Sequence, residues 1–466
     1  MTRFQGILLA LALTLSILSF SAVANVKMGN AFSDKMVLQR GMPVPVWGQA
    51  KAGERVKVSF ADQTVETTAG ENGHWMVKLQ PLKASSENRS MSIEGTSTVT
   101  IEDVMVGEVW LASGQSNMAD RFKVYGHEEF PEEYVDMDLS RFRFSTRDGW
   151  YEASKENQKK LSRVAFYFGI ELYQKLGVPI GLITRYYGGT PIQAWMPQET
   201  AQKTRLSLNI PSDWNEEDKA PRQPGAQYER AIKPVIPYAM RGAVWYQGER
   251  NAKTQTGYEY DVLLKTLVET WRDLWAERAD LPRRNFPFYY VQVPVRDKNA
   301  EFPWLRDRMR RALDMIDNSG MAVFCDYGGP AYHPPEKQPA GYRLALLALA
   351  NDYGYTDLVY SGPLLEDVRF NGDKALLTFS HVGEGLKSKS AEKKLQFFKI
   401  AGEDGQYVPA KARIAGKNTV EVESPKVSNP TDVRYMFRQG MPEVSLVNSA
   451  GIPASPFMTD DSEPNR

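Results

Sequence analysis

Five short stretches carry side chains whose types, taken together, suit acyl transfer. They are Gly114-Gln-Ser-Asn117, Tyr186-Tyr-Gly-Gly-Thr190, Gln247-Gly-Glu-Arg-Asn251, Pro294-Val-Arg-Asp297 and Asp326-Tyr-Gly-Gly-Pro-Ala-Tyr-His333-Pro334. A serine hydroxyl is a poor nucleophile until a base takes its proton, and histidine is the usual base near neutral pH. Ser116 follows directly on an apolar run, and Gly114 allows the tight backbone that would expose its hydroxyl. His333 is the histidine that sits just after another apolar run, in a Gly/Pro-rich loop able to reach over a sheet. Attack on an ester creates an oxyanion that needs fixed donors. The Ser116 and Gly189 backbone N–H groups and the Asn251 amide are the candidates. Each feature alone is commonplace: Gly188-Gly189 reads as a turn, and Asn251 as a loop or capping residue. Their recurrence at successive segment ends is what points to a site. His74, His127 and His381 lack that placement and read as structural or surface residues.

Something must bring these stretches together. After Val104 five apolar strand candidates alternate with helical patterns, at Val104–Ala112, Pro179–Thr184, Gly242–Tyr246, Phe286–Val293 and Gly320–Cys325. That rhythm predicts an α/β fold with a parallel sheet covered on both faces. Such sheets gather function at the carboxyl ends of their strands, where all five stretches lie. Tyr260, Leu263, Leu264, Leu267, Val268, Trp271, Leu274 and Trp275 share one helical face, as do Leu161, Val164, Ala165, Phe168 and Leu172. Both stripes read as core. The text is all-β over 25–103, with runs such as Arg55–Phe60 and Trp75–Leu79, and again over 354–460, as at Ala375–Phe379, Leu395–Ile400 and Thr419–Val422. The expected division is therefore a β-domain at 25–103, a catalytic domain at 104–353, a second β-domain at 354–460 and a loose tail at 461–466. Met196–Arg230 is a polar excursion near the active face.

Residues 1–24 combine Arg3, an apolar core at Ile7–Leu18 and the small-x-small site Ala22-Val-Ala24, the pattern of a secretory leader cut before Asn25. The expectation is an exported chain, periplasmic or extracellular, without a membrane anchor after cleavage. The full sequence has 57 basic and 57 acidic residues, and loss of Arg3 with the leader leaves 56 against 57. That balance argues against nucleic acid or an anionic membrane as the main partner. Cys325 is the one cysteine, so an exported chain would have to be stable without an internal disulfide. With four histidines besides, a structural zinc cluster lacks ligands, and no metal or other cofactor is expected.

The chain resembles the sialate O-acetylesterase group of SGNH hydrolases along almost its whole mature length. The matching text includes Phe32-Ser-Asp-Lys-Met-Val-Leu-Gln-Arg40, Gly107-Glu-Val-Trp-Leu-Ala-Ser-Gly-Gln-Ser-Asn-Met118 and Gly188-Gly-Thr-Pro-Ile-Gln-Ala-Trp195. Further matches are Trp245-Tyr-Gln-Gly-Glu249, His333-Pro334 with Lys337-Gln-Pro-Ala-Gly341, and Gly451-Ile-Pro-Ala-Ser-Pro-Phe457. The resemblance implies a three-layer, flavodoxin-like SGNH domain flanked by β-sandwich-like domains and removal of acetyl groups from a sugar. It implies Ser116 as nucleophile, His333 as base, and Gly189 and Asn251 completing an oxyanion hole with Ser116. Gln115, Tyr187, Trp195, Tyr246, Gln247, Arg250 and Tyr332 are the candidates to touch the sugar. Arg306, in a helix-like stretch, reads as part of a solvated face or else as a carboxylate ligand.

Two positions depart from the family pattern. Arg250 stands where the family usually has serine, which adds a possible anchor for a substrate carboxylate. The family's acid shortly before the histidine is replaced by Pro330 and Ala331, so Asp326, Glu249 or a backbone carbonyl would have to orient His333. The expected activity is deacetylation of O-acetylated sialic acid. The competing readings are an esterase for other acetylated glycans of the acetylxylan type, or a carbohydrate-binding relative with weakened catalysis.

Overall fold

The computed structural model describes residues 26–124, 128–210, 220–254, 256–296, 301–329, 333–390, 394–438, 440 and 443–460. The leader, His127, Tyr332 and the tail at 461–466 lie outside the described residues.

The central sheet runs through seven strands: β1 (Thr98–Gly114), β2 (Phe142–Ser145), β3 (Trp150–Glu152), β4 (Ile180–Tyr186), β5 (Gly242–Tyr246), β6 (Phe288–Val291) and β7 (Ser319–Ala322). Their lateral order is β3-β2-β4-β1-β5-β6-β7. Every neighbouring pair is parallel except β3, which is antiparallel to β2. All five anticipated strands are present. Taken in chain order they lie second, first, third, fourth, fifth across the sheet, the doubly wound order whose switch point falls beside the first strand. β2 and β3 form an unanticipated edge, since Arg143, Ser145 and Glu152 break up their few apolar residues.

Alternation along each strand decides which layer it feeds. Trp110, Ala112, Val244, Tyr246, Tyr289 and Val291 join one buried cluster with residues of α1 (Arg163–Leu176) and α6 (Gln338–Asp352). Val109, Leu111, Ala243, Trp245, Phe288 and Tyr290 join the other, with residues of α4 (Tyr260–Ala279) and α5 (Phe302–Arg311). The polar excursion begins with α2 (Gln198–Ser207), and the short α3 (Glu249–Lys253) follows β5. The α4 stripe is buried as expected, save Leu274, which is only partly covered. Ser162 caps α1 by accepting a hydrogen bond from the Ala165 N–H.

The 103/104 division falls inside a continuous strand. β1 pairs with Ser85–Glu94 over its first half and with β4 and β5 over its second. Asp103 turns the strand with φ of 57°, and its carbonyl and carboxylate accept hydrogen bonds from buried Arg143. The two halves are thus one element with a kink.

Arg306 corrects both sequence readings of it. It is fully buried, and its guanidinium donates to the Arg438 carbonyl at 2.9 Å. Burial pushes its pKa down to about 10. Together with the Met458 N–H donated to Asp307 at 3.3 Å, it ties α5 to the C-terminal β segment.

Candidate active site

β1 ends at Gly114, whose φ of 142° and lack of a side chain are both required: a Cβ there would come within 2.2 Å of the Tyr246 carbonyl on β5. The next residues make one helical turn, closed by the Ala119 N–H donating to the Gln115 carbonyl at 2.8 Å. This turn lifts Ser116 out of the sheet. Its side chain is partly exposed while Gln115, Asn117 and Met118 are buried. On the neighbouring strand end, Gly188 lies against it; a Cβ on Gly188 would sit 3.6 Å from Ser116 Cβ.

Beneath the serine is a buried polar network. Glu249, at the start of α3, accepts from Gln115 Nε2 at 2.6 Å and from Asn117 Nδ2 at 2.5 Å. Asn117 in turn accepts from Lys337 Nζ at 2.7 Å. Lys337 also donates to the Pro334 carbonyl at 2.6 Å and stands 3.4 Å from Asp120. Arg163 adds a second tie, reaching Asp120 at 3.3 Å and the Pro335 carbonyl at 2.6 Å. The serine turn and the loop carrying His333 are therefore braced by the same two buried cations. Burial of Lys337 pulls its pKa down to about 8, against the pull of Asp120. Lys337, Asp120 and Arg163 had no assigned role in the sequence reading. The signal was present in Lys337, four residues past His333 in the matching text, but its partners are distant in sequence.

Among the described residues neither the Ser116 N–H nor the Gly189 N–H is donated to another group, and the Ser116 hydroxyl has no hydrogen-bond partner. Gly189 adopts φ of 67°, a left-handed turn suited to glycine. Two unclaimed donors thus flank a partly exposed hydroxyl at the switch point. Asn251 departs from its expected part. Its side-chain oxygen accepts from the Ile192 N–H at 3.0 Å and Gln247 at 2.8 Å, while its amide donates to Gln193 at 3.0 Å and Thr256 at 2.8 Å. The backbone donor fixes which end is oxygen, and both amide protons are already used. Asn251 is a buried tie between α3 and the Thr190–Trp195 loop, with no proton left for an oxyanion.

His333 is exposed, at the head of the loop leading into α6. Asp326 holds both terminal nitrogens of Arg343 at 2.7 and 2.6 Å, and Glu249 braces the serine turn, so each carboxylate has a structural commitment here.

The expected sugar contacts divide sharply. Trp195 and Tyr246 are fully buried; Trp195 packs edge-on against Trp245 and donates to Thr190, so both are core. Gln115 and Gln247 are buried too, Gln247 donating to the Thr190 carbonyl at 2.9 Å. A long conjugated side chain in a matching motif looks the same in sequence whether it packs or stacks. Tyr187 and Arg250 remain partly exposed at the rim, and Tyr332 lies outside the described residues.

Residues 106–323 match the family model described as carbohydrate esterase, sialic acid-specific acetylesterase. A solved carbohydrate acetylesterase from Xanthomonas citri is 30% identical, superposes with a TM-score of 0.82, and the match covers 94% of this chain and 100% of that one. The chain belongs to this family of carbohydrate esterases. The human sialate O-acetylesterase is 27% identical across 90% of this esterase and 88% of the human protein, and the rat one 25% across 96% and 97%. The chain is thus an esterase that deacetylates sugars, built on mixed sheets and helices.

Proposed function

We propose that this esterase is an exported sialate O-acetylesterase working through Ser116 and His333. The observation that carries the reading is the partly exposed Ser116 hydroxyl beside two undonated backbone N–H groups. The named activity of the human and rat relatives supports the substrate. In this mechanism His333 takes the hydroxyl proton as Ser116 Oγ attacks the acetyl carbonyl. The Ser116 and Gly189 N–H groups receive the oxyanion, which is where preorganised donors contribute most. Collapse of the tetrahedral species expels the sugar hydroxyl, which takes the proton from His333. Water then attacks the acetyl-enzyme by the same path in reverse, releasing acetate.

Acetate release from O-acetylated sialic acid, compared with acetylated xylan, tests both parts. The wild type is expected to favour the sialic acid substrate, and Ser116→Ala to lose about three orders of magnitude or more in kcat with its fold intact. His333→Ala should abolish the acid limb of the pH–rate profile as well as most of the rate. Full activity in Ser116→Ala would end the mechanism; a preference for xylan would end the substrate assignment.

A further inference from the structure

Beside the proposed oxyanion donors lie three arginines, Arg222, Arg147 and Arg230, that no carboxylate among the described residues pairs with. Arg222 lies over Gly189: a Cβ on that glycine would be 3.1 Å from Nη2 and 3.2 Å from both Cζ and Nε of the guanidinium. Gly189 follows Gly188, where a Cβ would sit 3.6 Å from Ser116 Cβ, and adjacent Cα atoms are only about 3.8 Å apart. Arg147, leaving the end of β2, reaches Gln227 Oε1 at 3.4 Å, and Gln227 in turn donates to the Pro221 carbonyl at 2.6 Å. That bridge holds Arg147 beside the turn that carries Arg222. Arg230 lies over the Tyr187 ring with its Cζ 5.8 Å from the centroid.

Among the described residues none of these three arginines has a hydrogen bond or ion pair to a carboxylate; Asp148, next to Arg147 in sequence, acts on it only at longer range. Many other arginines of the fold are paired: Arg40 and Arg241 on Glu108, Arg310 and Arg311 on Asp307, Arg343 on Asp326, Arg434 on Asp460. The chain carries equal numbers of acidic and basic residues, so local cationic excess is a matter of placement, not of supply. Arg230 and Arg147 act on each other as like charges, beside the turn that carries Arg222. Burial and Arg230 both lower the Arg147 pKa, in that order. An anion arriving at the crevice relieves that repulsion, and guanidinium suits a carboxylate because its planar fork matches the two oxygens.

We infer that Arg222, supported by Arg147 and Arg230, is the subsite for the carboxylate of an acidic acetylated sugar. The inference rests on the esterase reading of Ser116 and sharpens its substrate class. A sialic acid carries its carboxylate on the anomeric carbon, away from the side-chain hydroxyls that bear acetyl groups. With an acetyl ester at Ser116, the far end of the sugar falls toward Gly189 and Arg222. A neutral sugar makes no use of this rim.

The test compares O-acetylated sialic acid with its methyl ester, which removes the charge and leaves the acetyl group. Wild-type kcat/KM is expected to favour the acid by about 10- to 100-fold, the range of a hydrogen bond to a charged group. In Arg222→Ala that ratio should fall close to one, while Arg222→Lys keeps part of it. Arg147→Ala should lower the ratio by a smaller factor. Because the ratio is taken within each variant, a general loss of activity cannot imitate the result. A wild type that cleaves acid and methyl ester equally, or an Arg222→Ala enzyme that keeps the wild-type ratio, overturns the subsite and leaves the sialic acid reading standing. A wild type that cleaves acetylated xylan but neither sialic acid form overturns the substrate reading and the subsite together.

Discussion

At the residue scale the candidate site separates partly exposed groups from the buried groups that brace them. Ser116 is open on one side, yet its immediate neighbours Gln115 and Asn117 are buried and both donate to Glu249. A carboxylate accepts on both oxygens, which two amide donors require. Glu249→Gln would turn an acceptor into a donor facing another donor and leave a buried amide unsatisfied. The expected outcome is a fall in kcat of about tenfold or more, with KM changed less, because the serine turn loses its brace before the sugar loses a contact. Steady-state kinetics on a soluble acetyl ester, with circular dichroism to verify the fold, measures it. A Glu249→Gln enzyme with normal kcat would show that the turn holds without this carboxylate.

At the scale of elements, the question is how a strand end and a loop more than two hundred residues apart are held to one another. Lys337 answers much of it. It stands at the entrance of α6 and donates both to Asn117 in the serine turn and to Pro334 beside His333. Its pKa in the folded chain is about 8, below the 10.5 of an ordinary lysine. Between those values the unfolded chain keeps a proton that the folded chain has released, so this group's contribution to stability rises with pH across that window. Denaturant unfolding of wild type and Lys337→Met from pH 7 to 10 should therefore show the difference moving in favour of the wild type as pH climbs through about 8. A difference that stays flat would mean that Lys337 does not titrate there. The same elements show what patterning conveys. The α4 stripe was legible because burial on one face imposes a period, and the Gly242–Tyr246 strand because burial on both faces leaves an unbroken apolar run. β2 and β3 were not, because Arg143, Ser145 and Glu152 interrupt their few apolar residues and leave no such run.

At the scale of the whole molecule, the central sheet is not an isolated unit. β1 serves both the N-terminal strands and the central sheet, and α5 is tied through Arg306 and Asp307 to the C-terminal β segment. Cys325 is free and buried, donating to the Ala454 carbonyl at 3.4 Å, so no internal disulfide contributes. Such a chain can fold in an oxidising compartment without thiol chemistry. Expression of the full chain should yield a mature protein beginning at Asn25 outside the cytoplasm, read by N-terminal sequencing of the secreted or periplasmic fraction. Recovery only of chains that retain residues 1–24, inside the cell, would refute export.

What the sequence determined by itself was local: strand and helix periods, a serine behind an apolar run, glycines where a backbone must turn, and motifs specific enough to mark the esterase family. Side chains of one chemical type were beyond it. Trp195 and Tyr246 matched the expectation of a sugar platform and proved to be core, while Asn251 had its protons taken by Gln193 and Thr256. Arg306, read as solvated or substrate-facing, proved buried, and Arg222, in an unreadable excursion, came to rest over Gly189. Periodicity is set by a residue's immediate neighbours along the chain, so it survives in a linear text. Whether an arginine is paired, or an amide proton is free, depends on which distant residues fold against it, and only the tertiary structure decides that.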